Sequence, residues 1–507
     1  MFMQKYLLAH DLGTSGNKAT LFTLDGKLVG SKVSSYNTNY FNANWAEQDP
    51  HDWWRAVCSS TKQLLNGIDN KEVLAVSFSG QMMGCLCVDK NGLPLRPSII
   101  WADMRASQEE EYLASKIDPM EFYKTVGHRI SSSYSIEKLM WVRNNEPDVY
   151  NNTYKMLNAK DYIVYKMTGQ FLTDYSDASG TNAFDINTFK WSRQILDAAG
   201  IAVEKLPRAV ESTYIAGEIS SAVGDECGLA AGTKVVVGGG DGMCASVGAG
   251  SVKVGKTYNC LGSSSWICTT TKKPIFDTEM RTFNWAHIVP GYVAPCGTMQ
   301  TAGAAFNWVK NEICTLENEQ AAAGGVSPYE IINTEIESAQ PTSNALMFLP
   351  YLLGERSPRW NADSRGAFVG LKMEHTRSDV LRSVIEGIAM NLNIILGILR
   401  KDIDIDEMIV IGGMAKGKIQ RQILADVFGM NILKMFSLEE ATSMGAAITA
   451  GVGIGELSGF DEIEKFNKVA EVIEPKPENV EKYQKLMPVF DKAYFALEEV
   501  YKQLAQL

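Results

Sequence analysis

The chain is poor in the residues that build disulfide frameworks and zinc sites. Its 507 residues include nine cysteines and five histidines. The cysteines are scattered, with no C-x-x-C pair and no histidine at a metal-ligand spacing. This pattern argues against a disulfide scaffold or a zinc site, and it predicts a protein that works in a reducing compartment.

The chain also lacks an excess of positive charge and a membrane-targeting segment. Its net charge is −11, whereas a nucleic-acid-binding protein needs a basic face. No basic segment precedes an apolar stretch near Met1, and no apolar run looks long enough to span a bilayer. We therefore expect a cytoplasmic protein that binds neither nucleic acid nor a membrane.

The remaining composition is that of an ordinary globular protein, with 45% hydrophobic and 21% charged residues. A chain of this length exceeds the size at which one core keeps growing, so two or three domains are expected. Strand patterns alternate with helix patterns along the whole sequence. The predicted fold class is therefore α/β.

Two short segments have the same pattern: a strand, a tight turn of glycine and hydroxyl residues, and a second strand. They are residues 10–16 (HDLGTSG) and residues 260–265 (CLGSSS). Glycine lets the backbone approach a ligand closely, and such a turn can point N–H groups and hydroxyls at phosphate oxygens. Because the segments lie about half a chain apart, they predict two related domains that close on one polyphosphate.

Several elements around these turns can be predicted. The pattern of the N-terminal residues predicts strands at 6–9, 18–24 and 28–34. Asp49 is the expected N-cap of a helix that begins at Pro50. An apolar stripe predicts a long helix over 379–400.

Two aspartates are the candidate chemical groups. Asp11 opens the first turn, where a carboxylate near phosphates is unfavourable unless a cation intervenes, so Asp11 is predicted to orient hydrated Mg²⁺. Asp241 follows residues 238–240 (GGG) after a buried strand, where α/β sheets collect ligands. It is predicted to accept a hydroxyl proton during attack on a γ-phosphate. The alternatives are a turn aspartate at 11 and a helix N-cap at 241.

Residues 412–418 (GGMAKGK) nearly fit the P-loop pattern, but position 419 is Ile rather than Ser or Thr. We interpret this segment as a loop against which adenine and ribose lie, and the alternative is a glycine-rich turn without a ligand. Lys18 lies one strand position beyond the first turn. It either reaches phosphate or is a solvated strand lysine.

Two further segments can line a small-molecule pocket. Gln81, Met82 and Met83 end a strand, although adjacent methionines are also common core filler. Trp101 offers an aromatic face for sugar C–H groups, and Asp103 offers a carboxylate for sugar hydroxyls. The alternative for Asp103 is an ion pair with Arg105 beside a buried tryptophan.

Together these features resemble the FGGY family of carbohydrate kinases, and within it the xylulokinase branch. The similarity runs through nearly the whole chain. The segments that carry it are residues 11–19 (DLGTSGNKA), 45–54 (WAEQDPHDWW), 133–145 with Lys138 and Trp141, 354–358 (GERSP), 366–386 (GAFVGLKMEHTRSDVLRSVIE) and 412–416 (GGMAK).

The resemblance implies two actin-like, ribonuclease H-like domains around a central cleft for nucleotide and sugar. It implies a first domain over 1–253 that mainly binds the sugar, and a second over 254–507 that mainly binds ATP. It places Asp241 as the catalytic base and Asp11 at the Mg²⁺. Residues expected around the nucleotide are Thr14, Ser15, Gly16, Lys18, Gly262, Ser263, Gly303, Asn307, Gly412, Gly413 and Lys416. Residues expected to face the sugar are Gln81, Met82, Met83, Trp101, Asp103 and Asp241.

The sequence departs from the xylulokinase pattern at two positions. Met83 replaces the usual histidine, and Ala102 replaces a frequent asparagine. Since a site built to bond a hydroxyl discriminates strongly, such losses can redirect specificity. D-Xylulose is the first expected substrate, and gluconate, another pentulose, a tetritol or a related polyol remain open. An actin- or chaperone-like ATPase, a catalytically silent sugar sensor and a homodimeric assembly are further possibilities.

Overall fold

The computed structural model describes residues 4–507, and these fold into two domains. The elements of the first domain are β1 (Tyr6–Leu12), β2 (Gly16–Thr23), β3 (Leu28–Ser35), β4 (Asn39–Phe41), β5 (Trp45–Gln48), α1 (Pro50–Leu64), β6 (Val73–Gly80), β7 (Leu86–Val88), β8 (Ser98–Ile99), α2 (Ser107–Ala114), α3 (Pro119–Val126), α4 (Ser135–Asn145), α5 (Pro147–Asn152), β9 (Lys155–Leu157), α6 (Ala159–Thr168), β10 (Leu172–Asp174), α7 (Tyr175–Ser179), β11 (Phe184–Asp185), β12 (Lys190–Trp191), α8 (Arg193–Ala199), β13 (Arg208–Val210), β14 (Ile215–Glu218), α9 (Ser221–Cys227), β15 (Lys234–Val236), β16 (Gly239–Gly240) and α10 (Asp241–Ala249).

The second domain follows directly in the chain. Its elements are β17 (Thr257–Leu261), β18 (Ser265–Thr269), β19 (Phe283–Ala286), β20 (Val293–Met299), α11 (Gly303–Trp308), α12 (Thr315–Gly324), α13 (Pro328–Ser338), β21 (Met347–Leu349), β22 (Ala367–Val369), α14 (Arg377–Leu399), β23 (Glu407–Ile411), α15 (Lys418–Phe428), β24 (Asn431–Met435), α16 (Ala441–Gly453), α17 (Ile463–Phe466), β25 (Val469–Ile473) and α18 (Pro477–Leu504).

The two central sheets share one topology. In the first, β1, β2 and β3 form an antiparallel meander, β6 and β15 continue parallel to β1, and β14 closes the edge antiparallel. In the second, β17, β18 and β20 form the meander, β23 and β24 continue parallel, and β25 closes the edge antiparallel. The second sheet adds β19 beside β20. The predicted α/β fold with two related domains is therefore confirmed.

Local sequence signals account for where the main helices begin. The Asp49 side chain accepts the His51 N–H at 2.9 Å and Pro50 is the first helical residue, as predicted for α1. Helix α14 begins at Arg377, two residues earlier than predicted, because Thr376 is the N-cap and Asp379 completes a capping box with it. Asp379 was the residue expected to begin the helix, but it occupies the third helical position.

Helix α14 also corrects the expectation that no apolar run is long enough to span a bilayer. By length and composition alone, it is the one helix within residues 4–507 that qualifies. Of its most apolar 18-residue window, 83% is buried inside the protein. The helix is the core helix of the second domain, where it packs on β21 and α15.

The domains meet through α10 and α16, which pack against each other along their lengths. A Cβ added at Gly248 would lie 1.7 Å from the Ala441 carbonyl oxygen, and one at Gly445 would lie 2.0 Å from the Cys244 carbonyl oxygen. Glycine is required at both positions because the two helix backbones touch there. Asp241 begins α10, and Glu440, directly before α16, forms an ion pair with Lys18 of the first β-hairpin.

Candidate active site

The first glycine turn connects β1 to β2 and is held from behind. Its residues are Gly13, Thr14, Ser15 and Gly16. The Tyr36 hydroxyl donates to the Gly13 carbonyl at 2.5 Å, and the Gln48 side-chain amide donates to the Thr14 carbonyl at 2.7 Å. Among the described residues, the N–H groups of Thr14 and Ser15 have no hydrogen-bond partner. The turn therefore keeps donors available for an anionic ligand.

The two lysines predicted near the nucleotide are paired with adjacent acids at the start of α16. Lys18 Nζ lies 2.6 Å from Glu440 Oε1, and Lys416 forms an ion pair with Glu439. The Lys416 pair is exposed and the Lys18 pair is half-buried. Contact of either lysine with the nucleotide stays a prediction, and it requires exchange of these carboxylate partners.

Asp241 is the first residue of α10, and Gly240 rather than Asp241 is the N-cap. The backbone enters the helix through Gly238, whose φ of +76° is a left-handed conformation that favours glycine. Asp241 Oδ1 accepts the Gly242 N–H at 2.7 Å. Burial, and next the charge of Asp11, raise the pKa of Asp241 to about 7. A carboxyl poised near neutral pH suits proton transfer.

Asp11 lies in β1 opposite Lys18 and accepts a hydrogen bond from the Ser79 hydroxyl at 2.9 Å. Burial raises its pKa, while Ser79 and Lys18 act in the opposite direction. Within residues 4–507 no group of three or more His, Cys, Asp or Glu side chains could hold a metal by itself. One or two carboxylates combined with phosphates and water are the usual ligands of Mg²⁺, so Asp11 fits such a role.

A cavity of about 620 Å³ lies between the domains. Aromatic and methionine side chains form a large part of its wall, and Asp241, Glu110, Arg129, Glu355 and Arg356 contribute charge. The apolar part of the wall is formed by Met82, Met83, Met104, Met243, Trp101, Trp266, Trp285, Trp360, Phe283 and Tyr134. A concave site with a few convergent polar groups is the usual form of a small-molecule site.

Four of the residues predicted to face a sugar line this cavity, namely Met82, Met83, Trp101 and Asp241. Met83 has a φ of +62°, which is uncommon for a residue with a side chain and occurs often at binding sites. The Trp101 Nε1–H donates to the Thr14 hydroxyl at 2.9 Å. The cavity wall and the first glycine turn are thus directly connected.

The other two residues predicted to face a sugar, Gln81 and Asp103, do not line the cavity. The Gln81 amide donates to Gln48 Oε1 at 2.7 Å beneath the first turn. Asp103 is fully buried, where it binds the Arg105 guanidinium through both oxygens and accepts the Ala46 N–H at 2.6 Å. Both oxygens of Asp103 are therefore used by protein groups, whereas of the Gln81 amide only the nitrogen is engaged and the buried oxygen has no hydrogen-bond partner in the described part of the chain.

A second cavity of about 800 Å³ lies within the second domain. Six of the residues predicted to surround the nucleotide line it, namely Gly262, Ser263, Gly303, Asn307, Gly413 and Lys416. Ser264, the next residue of the second glycine turn, lines the interdomain cavity instead. This turn therefore forms the boundary between the two cavities.

Two glycines of the second domain are required by close backbone contacts. A Cβ at Gly412 would lie 2.7 Å from the Leu261 carbonyl oxygen, and Gly412 has φ 90° and ψ 174°. A Cβ at Gly303 would lie 2.4 Å from the Gly262 carbonyl oxygen. Gly412 does not itself line the cavity. Its contribution is to let the loop before α15 lie directly against the second glycine turn.

Lys138 organises the interdomain cavity, although the apolar pattern of its helix gives no sign of this. The side chain is fully buried, and Nζ donates to the carbonyls of Met83, Ile100 and Ser133 at 2.8, 2.8 and 2.5 Å. Burial lowers the pKa of Lys138 to about 7. Three wall segments that are distant in sequence converge on this one ammonium group.

Four further charged residues line the cavity without having been predicted from the sequence, namely Glu110, Arg129, Glu355 and Arg356. Arg129 donates to the carbonyls of Glu279 and Met280 at 2.7 and 2.8 Å. Glu355 accepts N–H groups from Gln300 and Arg356, and burial raises its pKa to about 8. Glu355 and Arg356 lie in the 354–358 segment, which was a signal of similarity without an assigned role.

Two domains that share one sheet topology, with a cavity between them and a second cavity beyond a glycine turn, define the class of proteins with the actin-like fold. The chain belongs to the FGGY family of carbohydrate kinases. It matches the N-terminal domain of that family over residues 6–248 and the C-terminal domain over residues 257–454.

Individual relatives agree with this assignment. A xylulose kinase of Staphylococcus xylosus is 31% identical over 491 residues, which cover 96% of this chain and 99% of that protein. A gluconokinase of Bacillus subtilis is 29% identical over 505 residues, covering 99% and 98%. The crystal structure of a ligand-bound xylulose kinase from Lactobacillus acidophilus matches with a TM-score of 0.91 at 28% identity, covering 99% of this chain and 100% of that one. The chain is therefore a sugar kinase, and an ATPase without a sugar substrate is set aside.

Proposed function

We propose that the chain transfers the γ-phosphoryl group of ATP to a primary hydroxyl of a small sugar, with D-xylulose as the first substrate. The observation that carries this proposal is the position of the Asp241 carboxylate, which lines the same cavity as Ser264 of the second glycine turn. A sugar bound in this cavity would therefore lie near both the Asp241 carboxylate and the second glycine turn. We assign sugar binding mainly to residues 1–253 and ATP binding mainly to residues 254–507.

In the proposed mechanism, the nucleoside lies in the second-domain cavity and the phosphates extend past Gly262 and Ser263 towards the first turn. Asp11 would hold the hydrated Mg²⁺ that offsets phosphate charge. The primary hydroxyl attacks the γ-phosphorus, its proton passes to Asp241, and ADP leaves as the bond to its β-phosphate oxygen breaks. Because the transition state is loose, positioning and charge compensation supply most of the acceleration. Cytoplasmic ATP supplies the phosphoryl group.

Gluconate is the second candidate substrate, and a specific observation favours it. Within the part of the chain that the structure describes, neither Arg129 nor Arg356 is paired with a carboxylate, yet both line the interdomain cavity. A guanidinium binds a carboxylate through two parallel hydrogen bonds. The relative named gluconokinase is nearly as similar as those named xylulose kinase.

A panel of sugars tests the proposed function. ADP release is measured with saturating ATP and Mg²⁺ in the presence of D-xylulose, other pentuloses, gluconate, tetritols and glycerol. We expect one ketose or aldonate to raise turnover well above the sugar-independent rate, and mass spectrometry of that product to show one added phosphoryl group. If no compound raises turnover, the proposed function is wrong. A gain with gluconate but none with D-xylulose would replace the first substrate by the second.

The pH dependence of the reaction tests the role of Asp241. Since the base must be unprotonated and its pKa in the free enzyme is raised to about 7, we expect kcat/KM to rise with pH through about 7 and then level off. The profile of kcat reports the same group in the complex with both substrates bound, where the nucleotide and its metal change the surroundings of Asp241. Initial rates between pH 5 and 9 give both profiles. A kcat/KM profile that is flat over this range would contradict the assignment of Asp241 as base.

A further inference from the structure

A buried ionic cluster lies beneath the segment that carries Asp241, and the mechanism above makes no use of it. Lys160 Nζ lies 2.7 Å from Asp161 Oδ1, 2.9 Å from Asp174 Oδ1 and 3.0 Å from Asp177 Oδ2. All four side chains have at most 1% of their surface exposed. Burying such charges is costly and seldom stabilises a fold by itself, so the cluster calls for another explanation.

A chain of hydrogen bonds connects this cluster to the backbone next to Asp241. The Ser176 hydroxyl donates to Asp174 Oδ2 at 2.5 Å, and the same hydroxyl oxygen accepts the Gly240 N–H at 2.9 Å. The Gly240 amide can only donate, so the serine oxygen accepts from it and the serine proton is directed to Asp174. Hydrogen bonds to an ionised group are the strong ones, and each polarises the next.

The segment that Ser176 contacts has no side chains of its own that could pack or form hydrogen bonds. Gly239 and Gly240 form β16, and glycine is the residue with the most backbone freedom. A Cβ at Gly240 would lie 2.5 Å from Met82 Sδ, so the methionine covers this glycine from the cavity side. Ser176 contacts the segment from the opposite side, 3.1 Å from where a Cβ of Gly239 would lie.

We propose that Ser176, backed by Asp174 and Lys160, is a positioning residue that fixes Gly240 and thereby the direction of the Asp241 carboxylate. This inference rests on the proposed function, because it assumes that Asp241 accepts the proton. Ser176 touches neither reacting group, so its effect passes entirely through the backbone of Gly240. Loss of the Ser176 hydroxyl leaves the Asp241 carboxylate in place, but its orientation towards the substrate hydroxyl is less well defined.

Ser212 offers a matched control. Its hydroxyl also donates to Asp174 Oδ2, at 2.7 Å, and is also buried, but it makes no hydrogen bond to the Gly240 amide. Ser176→Ala and Ser212→Ala each remove one hydroxyl from the same carboxylate. They are expected to lower the melting temperature by similar amounts. Only Ser176→Ala removes the contact with the segment that carries Asp241.

The test compares steady-state kinetics of these variants with the substrate found in the sugar panel. We expect Ser176→Ala to lower kcat about 10- to 100-fold, the loss that small misplacements of reacting groups produce, with both KM values within about twofold. Ser212→Ala is expected to keep kcat within about threefold. Equal losses of kcat in the two variants would overturn the proposal, because they would reflect a general loss of packing.

Two further comparisons separate positioning from a structural role and from failure of the proposed function. Ser176→Thr keeps the hydroxyl and Ser176→Val, of the same shape, lacks it, so we expect Thr to retain far more kcat than Val. In single-turnover measurements, Ser176→Ala is expected to cause no further loss in an Asp241→Asn background, since the group that it directs is absent. Equal rates for Thr and Val, or a full further loss in that background, would overturn the proposal. Full activity of Asp241→Asn alone would instead overturn the proposed function.

Discussion

Asp241→Asn is expected to lower kcat for sugar phosphorylation by about 10²- to 10⁴-fold, the range of a positioned general base. The amide has nearly the shape of the carboxylate, and its oxygen can still accept the Gly242 N–H. It cannot accept the hydroxyl proton. Initial rates at pH 8, where the wild-type carboxyl is mostly ionised, measure this loss of proton transfer with little change in packing.

Two controls accompany this variant. Addition of Mg²⁺–ATP is expected to raise its melting temperature as it does for the wild type, because the nucleotide cavity is unchanged. Without ligands at pH 8, the variant is expected to melt at the same temperature as the wild type or higher. The sign follows from the raised pKa, which means that burial disfavours the ionised form of Asp241 and the neutral amide avoids that cost. Loss of the nucleotide effect would show that Asp241 holds the nucleotide site together instead.

Gly412→Ala is expected to be the second large effect, and to act on nucleotide binding. The backbone angles of Gly412 lie in a region that is essentially restricted to glycine, and the new Cβ would meet the Leu261 backbone at 2.7 to 3.0 Å. Strain and overpacking together are expected to cost about 2–5 kcal/mol. Since Leu261 leads into the second glycine turn, we expect the KM for ATP to rise more than tenfold while the KM for the sugar changes little.

The neighbouring glycine is the matched control. A Cβ at Gly413 would meet nothing within 4 Å, and its backbone is not left-handed. Gly413→Ala is therefore expected to keep the melting temperature of the wild type. Thermal unfolding of both variants and titration with ATP check the prediction. If Gly412→Ala binds ATP as tightly as the wild type does, close contact between this loop and the glycine turn is not needed.

The fold was predictable from the sequence to the extent that it follows from local signals. The β1–β2 hairpin and the Asp49 cap depend on residues within a few positions of one another, and the structure has them as expected. The two glycine turns could likewise be predicted, because each is a run of glycine and hydroxyl residues between two strand patterns. The shared topology of the two sheets follows once the same hairpin is found at the start of each half.

The site was only partly predictable, because the sequence does not reveal which polar groups bind one another. A carboxylate such as that of Asp103 is a common kind of sugar ligand. Only its ion pair with Arg105 in the folded protein shows that its oxygens are occupied. Gln81 is likewise engaged by Gln48, from a different strand. Lys160 and its three aspartates look like ordinary charged positions until folding brings α6, β10 and α7 together.

The contact between α10 and α16 also links the position of the base to residues that do not line the cavity. A side chain at Gly248 or Gly445 would meet the facing backbone at 1.7 or 2.0 Å, so one of the two helices would have to shift. Asp241 is the first residue of α10, so a displacement of this helix would carry the carboxylate with it. The two glycines therefore help to set where the carboxylate lies in the cavity.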